Sequence, residues 1–177
     1  MKLIALAFTT FIAITFLPIS LQANQMNDAG TEARLKALED RAELKALVDT
    51  FSNLADGKEI AEQALLFTPD AEVESYFGDR LVSKLHGREE IAKAFGGYLS
   101  QFDVVYHMNG QQTVELQGDH ATGTSYCLVV LIGTRDGKQT RETSGVIYHD
   151  VYVRTNGGWL ISKRTSRFTW QDSEVIS

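Results

Sequence analysis

Cysteine occurs once, at Cys127, and proline twice, at Pro18 and Pro69. One thiol closes no intrachain disulfide and builds no zinc cluster, so stability has to come from packing. No run of basic residues occurs, and 17 Lys plus Arg against 23 Asp plus Glu leave a net charge of −6. A phosphate-tracking surface is therefore disfavoured, and nucleic acid is not an expected partner. The chain also lacks a His-x-x-x-His pair and a Gly-x-Ser-x-Gly elbow, and its glycine pairs are in the wrong places for a phosphate loop. Gly96-Gly97 falls inside a helical stretch and Gly157-Gly158 in a hairpin turn. No metal and no cofactor are expected on these grounds. No repeat of about 20 to 50 residues is visible, which excludes a solenoid. What is present is 44% hydrophobic residues over 177 positions, enough for one core and too short for two ordinary domains.

Residues Met1 to Ala23 carry Lys2, an uncharged apolar stretch from Leu3 to Leu17, Pro18, and then Ser20-Leu21-Gln22-Ala23. That is the order of a secretory signal peptide, and the apolar stretch is shorter than the roughly 18 residues a spanning helix needs. The expectation is cleavage after Ala23, a periplasmic or secreted mature chain of net charge −7 once Lys2 is gone, and no stable membrane insertion afterwards; an uncleaved N-terminal anchor is the rival. Residues 24–33 then form a flexible lead-in, 34–170 the folded domain and 171–177 a C-terminal tail.

From Thr31 to Ala55, Leu35, Leu38, Ala42, Leu47, Val48, Phe51 and Ala55 recur at three- and four-residue steps, which predicts a long amphipathic helix broken at Gly57. A short helix is expected from Glu59 to Phe67, stopped by Thr68-Pro69, and a third from Arg88 to Leu99, with Glu89 and Glu90 favouring the dipole of its first turn. Two short strands, Glu72 to Phe77 and Arg80 to His86, meet at Gly78-Asp79. Beyond residue 100 the period becomes two. Val104–Leu116, His120–Thr134, Gln139–Arg154 and Trp159–Trp170 read as long hairpin strands separated by glycine turns. The class is α+β, with helices on one face of a curved antiparallel sheet that encloses a pocket.

Several strings carry a family resemblance: Arg41-Ala42-Glu43-Leu44 leading to Asp56, Leu66-Phe67-Thr68-Pro69-Asp70-Ala71, Leu85-His86-Gly87-Arg88-Glu89-Glu90-Ile91, Val105-Tyr106-His107, Leu116-Gln117-Gly118-Asp119-His120-Ala121, and Tyr152-Val153-Arg154 with Gly158-Trp159. On these, residues 34–170 resemble the SnoaL-like group of the nuclear-transport-factor-two-like superfamily. That resemblance implies a cone-shaped, cystatin-like α+β barrel with about three helices, the fold of scytalone dehydratase, bile-acid dehydratase, ketosteroid isomerase and many binding-only proteins. It also implies that His107 and Asp56 face each other inside the cone, and that Tyr148 matches a tyrosine frequent on its strand. Phe51 stands where many relatives carry tyrosine, and Gln111 where many carry asparagine.

Histidine can take and return a proton near neutral pH, and a carboxylate beside it orients the ring. His107, Asp56 and Tyr148 are therefore the candidate catalytic residues, and Phe51, Tyr126 and Tyr152 candidate ligand contacts. The competing reading makes His107 a hydrogen-bonded core residue and Asp56 a cap for the turn at Gly57. Alternation puts Tyr148, Asp150 and Tyr152 on one side of their strand but does not say which side faces the pocket. Arg164 and Arg167 can pair with acids across the sheet or bind a substrate carboxylate; His86 and His120, beside turns, are expected at the surface, and Trp159 against a helix. Two functions stay open. One is a cofactor-independent lyase or isomerase acting on a small hydrophobic or aromatic molecule. The other is a non-catalytic ligand-binding or dimerisation module; the resemblance implies a homodimer through the outer sheet face, and the apolar residues on both faces of Val129–Ile132 need cover from either a second subunit or the segment after Trp170.

Overall fold

The computed structural model describes residues 19–176, with side chains at residue 28 and from residue 30 onward. Of the signal segment expected over residues 1–23, residues 1–18 lie outside the described residues. Two compact units divide the chain, Met1–Lys36 and Ala37–Ser177. In the first, the described residues are helical from Ile19; in the second lies everything that follows.

Helix α1 spans Ile19–Asp56, starting ahead of the Thr31 that periodicity predicts. The stretch from Asn24 to Gly30 carries no apolar period, so pattern alone cannot extend a helix across it. The buried stripe keeps Leu47, Val48, Phe51 and Ala55 of the expected one but not its first members. Leu44, Leu47, Val48, Phe51 and Ala55 are buried, whereas Leu38 is 65% exposed. Six residues separate Leu38 from Leu44, which turns it about 120° away from the core.

Helix α2 (Ile60–Leu65) is followed by strands β1 (Phe67–Phe77) and β2 (Arg80–His86), helix α3 (Arg88–Leu99), and strands β3 (Val104–Gln117), β4 (His120–Arg135), β5 (Lys138–Thr155) and β6 (Gly158–Val175). Strand β1 begins earlier than expected. Pro69 is tolerated because residues 68–71 fall between the pairs Phe67↔Ile161 and Glu72↔Lys163, where the ladder is irregular and a missing N–H breaks no regular bond. Gly87 opens α3 at φ +81, a conformation that favours glycine, and the Glu90 carboxylate accepts the His86 N–H at 2.9 Å. Asp136 and Gly137, both at positive φ, close the β4–β5 hairpin, as a two-residue turn requires.

The six strands form one curved, unclosed sheet in the order β2-β1-β6-β5-β4-β3. Four neighbouring pairs are antiparallel, but β1 and β6 run parallel, against the all-antiparallel expectation. The β3–β6 meander ends with one free edge on β6. The separate β1–β2 hairpin docks there, and local turn signals carry no information about the direction of that pairing.

Bulges in β3 and β6 decide which residues face the helices. In β3 an extra residue between Asn109 and Gln112 switches the inward set from Val105, His107 and Asn109 to Gln112, Val114 and Leu116. In β6 an extra residue opposite Val151/Tyr152 switches it from Trp159 and Ile161 to Arg164, Ser166 and Phe168. On β5 the inward series is Glu142, Ser144, Val146, Tyr148, Asp150 and Tyr152, which resolves the choice that alternation left open.

Candidate active site

A cavity of about 500 Å³ lies between the helices and the inner face of the sheet. That is the size of a small-molecule site. Helices α1, α2 and α3 contribute Phe51, Gln63 and Phe95 to its wall; the sheet contributes His107, Tyr148 and Arg164.

Asp56 is the last residue of α1, and His107 points inward from β3. Their side chains meet at 2.7 Å, His107 Nδ1 to Asp56 Oδ1, and the other carboxylate oxygen accepts the His107 backbone N–H at 3.2 Å. A carboxylate accepts, so Nδ1 carries the proton and Nε2 keeps its lone pair. The His107 side chain is 8% exposed and that of Asp56 27%. Burial pushes the His107 pKa below its ordinary 6.5, outweighing the upward pull of Asp56, and the nearby Arg164 charge pushes the same way. The ring is thus neutral at neutral pH, with its Nε2 lone pair free to take a proton. A polar strap holds the two elements together: Asn109 Nδ2 donates to Asp49 Oδ1 at 3.0 Å and Asn109 Oδ1 accepts from Ser52 Oγ at 3.0 Å.

Arg164 is 1% exposed, the largest fully buried side chain among the described residues. Asp150 receives it bidentately, Nε at 2.8 Å and Nη2 at 2.7 Å, and Tyr152 donates its hydroxyl to the same carboxylate at 2.9 Å. The guanidinium lies 4.1 Å from the Phe51 ring centre and 4.4 Å from that of Tyr148. Burial works against its charge, but Asp150 outweighs burial and the group stays protonated. Its Nη1 makes no hydrogen bond among the described residues. Tyr148 is pushed well above the ordinary phenol range, chiefly by burial, and keeps its proton.

The structure therefore brings His107, Asp56, Tyr148 and Phe51 together, and leaves two expected ligand contacts out. Tyr126 sits on the opposite face of β4 and is 43% exposed, because Ser125 and Cys127 take the inward positions. Tyr152 is fully buried among Leu44, Ala121 and Trp159, behind Asp150 instead of at the cavity wall. Arg164 makes the cross-sheet pair expected of it, but in the interior; Arg167 points outward over Tyr76. His86, His120 and His149 are exposed. Trp159 is buried against the α1 core stripe, as expected. Gln63 escaped the sequence reading, since nothing in Ile60–Leu65 marks a glutamine as interior. Among the described residues no cluster of His, Cys, Asp and Glu is arranged to hold a metal ion, and no helix is long and apolar enough to cross a membrane.

Helices laid over the inner face of an open six-stranded sheet, with a cavity between them, define the nuclear-transport-factor-two-like class. A family model, the SnoaL-like domain, matches residues 36–165, and the chain belongs to that family. An uncharacterized protein of Mycobacterium tuberculosis is 30% identical over 135 residues, 76% of this chain and 88% of that one. A solved structure from Novosphingobium aromaticivorans, proposed to be a scytalone dehydratase, superposes with a TM-score of 0.66 at 22% identity over 80% of this chain and 91% of its own. A hexachlorocyclohexane dehydrochlorinase superposes with a TM-score of 0.69 at 16% identity, over 81% and 95%.

Proposed function

We propose that this is an exported, cofactor-independent enzyme that moves a proton within a small hydrophobic or aromatic ligand, as a dehydratase or isomerase does. The observation that carries the reading is the 2.7 Å His107–Asp56 contact on the wall of a 500 Å³ cavity. His107 Nε2 removes a proton next to a carbonyl or leaving group. Asp56 holds the tautomer and stabilises the imidazolium that forms, and the buried Arg164 guanidinium and the protonated Tyr148 face the oxygen on which negative charge develops. In an elimination, His107 then returns the proton to the departing hydroxyl. Similarity in fold to proteins described as a dehydratase and a dehydrochlorinase supports elimination chemistry as the class.

A test needs no native substrate. In D₂O the wild-type protein should speed α-proton exchange into 1-tetralone, followed by NMR, and His107→Ala should lose that rate while keeping its fold. Equal rates for the two proteins would end the proposal. A second reading, in which the domain only binds or assembles, draws support from the outer sheet face. Tyr106, Met108 and Tyr126 are all exposed there on adjacent strands. A homodimer through that face is compatible with either function, and light scattering on residues 24–177 tests it: a strict monomer removes the dimer.

A further inference from the structure

Seven buried side-chain polar atoms make no hydrogen bond among the described residues, and two of them belong to residues on the cavity wall: Arg164 Nη1 and Gln63 Oε1. The first is a donor, the second an acceptor. Gln63 is 1% exposed, and its amide orientation is fixed by chemistry: the NH₂ donates to the Phe51 carbonyl at 3.1 Å, so the oxygen is the end left over. Its backbone is already engaged, with the N–H on Glu59 and the carbonyl accepting from Leu66. The Phe51 carbonyl lies inside α1, where the helix supplies its own N–H four residues on, so structure alone does not require the Gln63 amide. A leucine would fill the same space without leaving an acceptor dry, which costs about 1–3 kcal/mol. Phe51 ties the two orphans together, with Gln63 on its carbonyl and Arg164 on its ring.

We propose that Gln63 is a specificity-determining residue whose Oε1 accepts a hydrogen bond from a hydroxyl or N–H on the ligand, so that the cavity selects molecules carrying such a donor over bare or capped hydrophobic analogues. This rests on the cavity being the ligand site. On a side chain that is 1% exposed, the acceptor is paired directly by a donor-bearing ligand, and a ligand lacking one leaves it unpaired.

The experiment is calorimetric titration of the full chain with 2-naphthol and with 2-methoxynaphthalene, which differ in the donor. Wild type should bind 2-naphthol at least about tenfold more tightly. In Gln63→Leu that preference should fall to within about twofold, through loss of naphthol affinity alone. Gln63→Met provides the same reading should the branched side chain disturb α2. Equal affinity of wild type for both probes, or a preference that survives in Gln63→Leu and Gln63→Met, overturns the inference and leaves the cavity reading intact. Binding of neither probe by wild type overturns both.

Discussion

The inner face of the sheet has two ends built from the same alternating strands, one filled and one hollow. At the filled end Tyr152, Trp159, Ile161 and Ala121 pack against Leu44, Leu47 and Val48 of α1. At the hollow end the corresponding inward positions of β5 and β6 are Ser144 and Ser166, and those small side chains leave the cavity open. The Asp150–Arg164 pair stands at the boundary, with the Tyr152 hydroxyl on one side and the Tyr148 ring on the other. Side-chain size, at positions that the bulges turn inward, thus separates the filled end from the hollow one.

Removing the boundary should have the largest effect. Arg164→Ala leaves the Asp150 carboxylate buried without its ion, a loss of about 3–5 kcal/mol that urea unfolding would measure. If the loss stays near 1 kcal/mol, water already reaches that carboxylate and the two ends are not sealed from each other.

Adding atoms should sharpen the contrast. A Cβ at Gly123 would sit 2.9 Å from Cε2 of the buried Tyr152, so Gly123→Ala should cost about 1–3 kcal/mol at the filled end. Ser144→Leu, a larger addition at the hollow end, should change stability by less than about 0.5 kcal/mol while abolishing binding of aromatic probes. Similar penalties at both positions would mean the cavity is not space the fold can spare.

The smallest expected effect is on pH dependence. With its folded pKa held below 6.5, His107 leaves the native state with fewer protons than the unfolded chain once pH falls beneath that value. Stability is therefore complete above pH 6.5 and declines as pH drops through the folded pKa. Substituting His107→Gln should flatten that part of the stability profile; an unchanged slope would assign it to other groups.

Hydrophobic period and turn chemistry made the helices, the four long strands and their order legible, because each is a local property of ten to twenty consecutive residues. The His107–Asp56 meeting was legible only through resemblance, since 51 residues separate the two. What stayed hidden followed from the bulges. One extra residue in β6 turns Arg164 inward where strict alternation from Ile161 would have chosen Lys163, and nothing in Ser162-Lys163-Arg164 announces it. Tyr126 failed for the opposite reason: a mid-strand tyrosine has the same local pattern on either face, and only its neighbours' burial decides. The parallel β1–β6 contact and the Gln63 amide are tertiary facts without a sequence signature.

The central claim is that Asp56 fixes a neutral imidazole with its free lone pair at Nε2, and nitrogen NMR of His107 reads this directly. At pH 7 the account predicts a neutral ring protonated at Nδ1, with that tautomer lost in Asp56→Asn. A ring protonated at Nε2, or a cationic imidazolium at that pH, would contradict it.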